Sequence, residues 1–308
     1  MSNKGVIPFK FDDTQFDLKF IQIGDFVWYA DRRKCTSVTT ESDRCDQIGC
    51  EPKPFSPTIL WNCVAMGTLA AVSEKKQFPY LVWNGSCGNN SVVFCVNHEK
   101  KKVSKALAAI GNPKPGDADG GIYVEIVNSF ITDLSDPHNT LIQGPEDAAK
   151  CKINDEYFLW LSKKVLAANS PYFAGLFKKN FKEGTDGCYD LKGLGHLKLD
   201  VFIQFYGIVH GLEMPMTGGW VDRLLHLADF FQCKVVLRRC EDFLRNAPEY
   251  RLSLREKLRL AVRFKLDALL VETANKMPLE ELKKLHFPSG TPPLVAEVMA
   301  QKMRLIDA

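Results

Sequence analysis

Ten cysteines and six histidines are the side chains in this 308-residue chain best suited to ligate a metal or attack a substrate. Cys63, Cys95, Cys233 and Cys240 sit inside apolar runs, where a thiol serves as a small hydrophobe. In a reducing compartment they would stay as thiols. Cys35, Cys45 and Cys50 share a polar stretch instead. A zinc site needs four ligands, usually including a close Cys pair; no CxxC is present, and the nearest histidine in sequence is His98. These three read as ordinary loop cysteines, and no metal or cofactor is expected. His98, His138, His196, His210, His226 and His286 are scattered. His226 lies in a Leu-rich helical stretch that suits packing or the surface, and His196 and His210 flank a helix without a clear acidic partner. The chain has no Gly-x-Ser-x-Gly elbow, phosphate-cradling Gly-x4-Gly-Lys-Ser/Thr loop, His-Glu-x-x-His pair or dinucleotide fingerprint. No catalytic residue is expected and the chain does not read as an enzyme.

The charges say what kind of partner to expect. Forty basic residues stand against 37 acidic ones, a formal net charge of +3. That balance gives no long-range field for nucleic acid or an anionic membrane, so partners are to be recognised by shape and local chemistry. No apolar stretch reads as a signal peptide or a membrane span. The expected location is therefore the cytoplasm, the nucleus or both. Asn84-Gly85-Ser86 and Asn89-Asn90-Ser91 match the glycosylation sequon, which carries no weight without a secretory signal.

A length of 308 residues suits two or three domains. Residues 9–134 read as an antiparallel β-sandwich. Phe16, Leu18 and Phe20 alternate with polar residues, and short β-branched and aromatic runs follow at Phe26–Tyr29, Ile59–Trp61, Leu69–Val72, Tyr80–Trp83, Val92–Val96 and Ile122–Val127. Breaker clusters such as Asn84-Gly85-Ser86 and Pro113–Gly116 separate them. The polar stretch from Arg32 to Pro57 reads as a long loop, and Trp28 and Trp61 as core. Residues 135–146 form a polar, breaker-rich linker with Asp136-Pro137, Asn139 and Gly144-Pro145. Beyond it the period turns helical. Tyr157–Leu161 is an unbroken apolar run, as for a strand covered on both faces. Ser170-Pro171 restarts a helix after Lys163–Asn169. Phe202, Phe205, Tyr206 and Val209, then Val221, Leu224, Leu225, Ala228 and Phe231, recur at helical spacing. Ser253 and Glu256 form a capping box, Pro278 suits a helix start, and Pro292-Pro293 precedes a last helix.

The run Tyr157-Phe158-Leu159-Trp160-Leu161-Ser162-Lys163-Lys164-Val165-Leu166, continuing through Asn169-Ser170-Pro171-Tyr172-Phe173 to Leu176-Phe177, resembles the signature of BTB/POZ domains. That signature is a strand, a polar residue and Lys, a leucine-bearing helix, then Ser-Pro-aromatic-Phe and a second helix ending in Leu-Phe. Phe181–Gly184, Tyr189-Asp190-Leu191, Leu224–Phe231 and Cys240–Leu244 follow in the family's order. Ser162 stands where many members have His. The tail is similar to the helical BACK-type extension that often follows this domain. The N-terminal region looks, more faintly, like a MATH sandwich, through Gly24–Trp28, Trp61-Asn62-Cys63 and Gly121–Ile126; a Trp-Gly-Phe segment typical of that fold is missing. The implied architecture is a MATH-like β-sandwich at 9–134, an α/β BTB/POZ domain at 147–246 and a helical extension at 250–306.

The resemblance implies a protein-binding adaptor. BTB domains pair as isologous homodimers, for which Leu161, Val165 and Leu166 are the interface candidates; the alternative is that these side chains fill the domain's own core. Cullin-binding members carry a hydrophobic residue, any residue and Glu after the second helix, and Phe181-Lys182-Glu183 matches. Phe181 would be the apolar anchor and Glu183 the acceptor of charge-assisted hydrogen bonds; Phe181 packing inward is the alternative. The sandwich would then receive substrates for a cullin-RING ubiquitin ligase. The other reading is an oligomerisation scaffold or a transcription-regulatory interaction protein without a ligase link.

Overall fold

The computed structural model describes residues 2–10, 20–34, 44–53, 55–73, 76–77, 81–89, 94–95, 119–178, 188–191, 197–249, 252–283 and 293–304. The chain divides into two compact units. One is built from the described residues within 1–36, 40–166 and 177–215, the other from those within 167–176 and 216–308.

The first unit begins with two antiparallel sheets. In one, β1 (Lys4–Lys10), β9 (Asp119–Asp133) and β5 (Ile59–Ser73) lie side by side, with β6 (Lys76–Gln77) and β7 (Leu81–Gly88) both pairing with β5. In the other the order is β2 (Phe20–Ile23), β3 (Phe26–Lys34), β4 (Arg44–Pro52), β8 (Phe94–Cys95). Side chains alternate across each strand, so Ile7, Ile122, Val124, Ala65, Cys63, Trp61 and Trp83 meet Ile23, Phe26, Trp28, Ile48 and Cys50 in one shared core. Two sheets over a common core are the arrangement of a β-sandwich. Trp28 and Trp61 are both buried in it. The pairing of β5 with β9 contains a bulge: Val64 faces Asn128 and Ala65 faces Ile126. Val127 is left over and 60% exposed. Phe16, Leu18 and Pro113–Gly116 lie outside the described residues.

Three expectations are corrected. The stretch from Arg32 to Pro57 is not one loop, because β3 runs to Lys34 and β4 occupies Arg44–Pro52. The strand escapes a periodicity reading because its inward face offers few apolar side chains, chiefly Ile48 and Cys50, beside polar neighbours. Gly49 between them pairs with Tyr29, and a Cβ there would come within 2.7 Å of the Tyr29 ring. Cys50 is consequently a core thiol and not a loop cysteine. It meets Cys63 and its cross-strand partner Cys87; burial drives the Cys50 pKa well up and the neighbouring thiols add to the effect. Likewise Asn84-Gly85-Ser86 is no turn. It lies inside β7, which pairs with only β5 among the described residues.

The same unit holds a third sheet. β10 (Ala148–Lys152) pairs antiparallel with β11 (Phe158–Ser162) and parallel with β12 (Cys188–Asp190). Ala149, Cys151, Leu159, Leu161 and Tyr189 point to its buried face. The apolar run at 157–161 suggested a strand covered on both faces, but Phe158 is 38% exposed. Lys150 Nζ sits 4.8 Å from the Phe158 ring centroid and 5.9 Å from that of Trp160, so lysines cover these aromatics on the wet side. Helix α1 (Lys163–Asn169) follows β11 directly; next in sequence is α2 (Pro171–Leu176), which belongs to the second unit, and α3 (Leu199–Val209) of the first unit is buried at every position from Val201 to Val209. Apart from Gln204, whose Nε2 donates to Pro215 O at 2.6 Å, that stretch is apolar on every face, as suits an interior helix. Gly207 lets it fit: a Cβ there would lie 2.8 Å from Met214 Sδ and 3.0 Å from Leu60 Cδ1 of β5.

The second unit is helical. It includes α2, α4 (Gly218–Phe230), α5 (Lys234–Asn246), α6 (Leu254–Phe264), α7 (Asp267–Lys276), α8 (Leu279–Lys283) and α9 (Pro293–Arg304). Gln232 turns the chain between α4 and α5 with a φ of 52°, and Lys265 does the same between α6 and α7 at 54°. The capping box at Ser253 and Glu256 forms as the sequence predicts, Ser253 Oγ accepting from Glu256 N–H and Glu256 Oε2 accepting from Ser253 N–H. Among the described residues, no helix is long and apolar enough to cross a membrane.

Candidate protein-interaction site

The turn from β11 into α1, inside the run that carries the family resemblance, is organised by a buried carboxylate. Asp147 is 1% exposed. Its oxygens accept from Ser162 Oγ at 2.9 and 3.1 Å, Lys164 N–H at 2.8 Å and Gln143 N–H at 3.1 Å. Burial alone would raise its pKa; the bonds from Lys164, Gln143 and Ser162, with the Lys164 charge, carry it below the usual carboxylate range. Ser162 also accepts from Val165 N–H at 3.2 Å, so it is the N-cap of α1. Its own N–H donates to Tyr206 Oη of α3 at 2.8 Å. Tyr206 in turn packs edge-on against His210, with centroids 4.4 Å apart. The serine that departs from the family's usual His is thus a fully buried structural residue joining strand, helix and α3.

His210 Nε2 is buried and has no hydrogen-bond partner among the described residues. Burial lowers its pKa to about 4, against a smaller opposing pull from Asp147. The folded pKa is depressed below the ordinary histidine value of about 6.5. Between those two values the unfolded chain therefore binds the extra proton, and stability falls as pH drops. The expected loss approaches about 3 kcal/mol across that window. Denaturant midpoints at pH 7 and pH 4.5 should show it, and His210→Phe should flatten the slope. An unchanged slope in the variant would assign the acid sensitivity to other groups.

The linker is pinned at its start and middle. Leu134 is buried, its N–H donating to Thr58 O at 3.1 Å and its carbonyl accepting from Trp160 N–H of β11 at 2.7 Å. Asn139 Nδ2 donates to Trp160 O at 3.0 Å. Thr58 Oγ1 and the Ser135 N–H both donate to Asp133 Oδ1. Trp160 thereby has both backbone groups on its outer edge satisfied by the linker, and the end of β9 is fastened to the edge of β11.

The candidate dimer residues differ in what they offer. Leu161 and Leu166 have no exposed surface within the chain, whereas Val165 is half-buried. On α1, Lys164 and Ala168 are the exposed positions. Phe181, Lys182 and Glu183 lie outside the described residues. Helix α2, which leads toward them, starts as the sequence predicts: Ser170 Oγ accepts from Phe173 N–H at 3.2 Å and donates to Phe231 O at 2.5 Å. His226 is a half-exposed residue whose ring lies edge-on to Phe264 at 5.1 Å, a packing role. Sequence reasoning placed Tyr206 on an apolar helix face and His210 beside a helix, but missed Asp147 and the bonds that join it through Ser162 to Tyr206. A Ser just before a helix signals a cap, but nothing local marks partners 15 and 44 residues away.

The comparisons agree with this geometry. Residues 149–247 match the model of the BTB/POZ domain. Strand β11, the Ser162-capped helix and the Ser-Pro-restarted helix all lie within that match. Over 125 residues the chain is 28% identical to BTB and MATH domain-containing protein 15 of Caenorhabditis elegans, covering 41% of this chain and 43% of that protein. It is 29% identical over 109 residues to BTB and MATH domain-containing protein 36 of the same organism, 35% of this chain and 32% of that protein. Kelch-like protein 38 of Mus musculus is 27% identical over 174 residues, 55% of this chain and 27% of that protein. The chain thus carries a BTB/POZ domain and resembles proteins of the MATH-BTB type, though it spans less than half the length of each of these relatives. The domain and its relatives support a protein-interaction adaptor.

Proposed function

We propose that this chain is a substrate adaptor for a cullin-RING ubiquitin ligase, a non-enzymatic protein that pairs through its BTB domain. The N-terminal sandwich is the MATH-like substrate receptor, and the helices after 250 are a BACK-like extension. The observation that carries this reading is the pairing of a BTB/POZ match at 149–247 with two antiparallel sheets over one core ahead of it. The pinned linker adds support, since it holds receptor and BTB sheet in one compact unit. Val165 and the neighbouring face of α1 are the dimer contact, with Leu161 and Leu166 supporting it from beneath. Phe181, Lys182 and Glu183 are the cullin contact.

The test is affinity purification of the full chain from cells. The unaltered protein is expected to recover a cullin, and Phe181→Ala is expected to cost about 2 kcal/mol or more of that binding. Phe181→Ala combined with Glu183→Ala should abolish recovery while leaving self-association intact. Undiminished recovery with the double variant would remove the assigned contact. Self-association without any cullin would favour an oligomerisation scaffold.

A further inference from the structure

We infer that the cleft between the end of α5 and the α6–α7 pair is a binding site for a compact oxyanion of the phosphate class. The cleft has a volume of about 290 Å³ and is lined by Arg245, Glu249, Lys257, Glu272, Thr273 and Lys276, among others. Three cations face two carboxylates in the lining, and Arg245 also reaches Asp242 just outside it at 3.7 Å, so the carboxylates gather on Arg245. Glu272 is held by Arg245, whose Nε lies 2.8 Å from Oε1 and whose Nη2 also reaches it. That leaves Lys257 and Lys276, with Glu249 as the other carboxylate.

Lys257 is 5% exposed. Its ammonium donates to Ala247 O at the end of α5 and has no carboxylate within ion-pair distance among the described residues. Burial lowers its pKa, the nearby Lys276 lowers it further, and Glu249 and Glu272 oppose both. Glu249 and Glu272 act on it only from beyond ion-pair distance, and a buried ammonium with no direct carboxylate contact is costly. Helix capping alone does not account for the arrangement, as a second lysine in the same unit shows. Lys302 of α9 caps the end of α7 by donating to the carbonyls of Ala274, Asn275 and Met277, which occupies all three of its protons. Lys257 meets one carbonyl and retains two donors beside a second ammonium. An oxyanion between Lys257 and Lys276 accepts those donors and compensates both charges. The cleft is larger than one phosphate group, so the side chain that carries it also fits.

Isothermal titration of the full chain at low salt tests the site. The probes are inorganic phosphate, a short peptide containing phosphoserine and the same peptide unphosphorylated. Saturable binding of phosphate is expected, weakened about tenfold or more in Lys276→Ala. Lys276 is exposed, so this variant should melt like the unaltered chain. Lys257→Met should bind no phosphate, but it also removes a helix cap, so Lys276→Ala is the deciding variant. A phosphopeptide that binds more tightly than phosphate and is displaced by it identifies a protein-borne ligand; phosphate binding without phosphopeptide binding identifies the free ion. Absence of saturable binding with both probes, or undiminished affinity in Lys276→Ala, overturns the assignment.

Discussion

Asp147→Ala is expected to destabilise the first unit by about 3 kcal/mol or more, a large fraction of the stability of an ordinary domain. The side chain is buried and accepts from three separate groups: Ser162 Oγ, Lys164 N–H and Gln143 N–H. Removing it leaves the buried Ser162 hydroxyl and the part-buried N–H groups of Lys164 and Gln143 without this acceptor; an unsatisfied buried donor costs about 1–3 kcal/mol, and a part-buried one less because water can reach it. The loss also reaches α3, because the Ser162 N–H is what Tyr206 Oη accepts. The effect has a pH signature. The folded pKa of Asp147 is depressed, so its contribution is present above the unfolded carboxylate value of about 3.9 and is lost as pH falls through the lower folded value. The gap between wild type and Asp147→Ala should thus be full at pH 7 and shrink below about pH 4. That window lies beneath the one assigned to His210, so the two can be read separately. Urea denaturation followed by circular dichroism at both pH values is the measurement. A difference under about 1 kcal/mol at neutral pH would mean water replaces the carboxylate as acceptor.

What could be read from sequence follows from how far each constraint reaches along the chain. Helix α1, the Ser170 restart and the Ser253 capping box are set by residues three or four apart, and each forms where the residues indicate. The core roles of Trp28 and Trp61 follow from their size in a sandwich. Strand β4 was hidden because its inward face is mostly Ile48 and Cys50, and because Gly49 makes its contribution by omitting a side chain beneath Tyr29. The lysine-covered outer face of β10 and β11 was hidden for the opposite reason. Phe158 and Trp160 read as core, and only the cross-strand register places Lys152 and Lys150 opposite them. The Asp147 network and the Lys257 cleft join residues from different elements, with no spacing rule to reveal them. The BTB resemblance was legible because it is an ordered series of local signals. The dimer candidates came from the same series, but burial separates Val165 from Leu161 and Leu166, and burial is a property of the whole fold.

Phe173→Ala is expected to cost the second unit about 3–5 kcal/mol, the range for removing a fully buried aromatic. Phe173 has no exposed surface. Its ring stacks on Phe231 at 4.6 Å and meets Tyr172 edge-on at 5.4 Å, with Phe230 closing the cluster. The backbone is tied in at the same place, since Ser170 Oγ both caps α2 and donates to Phe231 O. A cavity left by the ring can collapse little while that bond holds the α4 end against α2. Phe173→Leu should lose less, because it refills part of the volume, and Ser170→Ala should cost about 1–2 kcal/mol through the lost cap. Thermal melting of the three variants gives the order Phe173→Ala, then the other two. A Phe173→Ala loss no larger than that of Ser170→Ala would show that the cluster repacks. The outcome bears on function, because α2 is the element from which the chain runs on to Phe181. If Phe173→Ala lowers cullin recovery in proportion to its melting temperature, whereas Phe181→Ala lowers recovery with melting unchanged, the first residue supports the proposed contact and the second makes it.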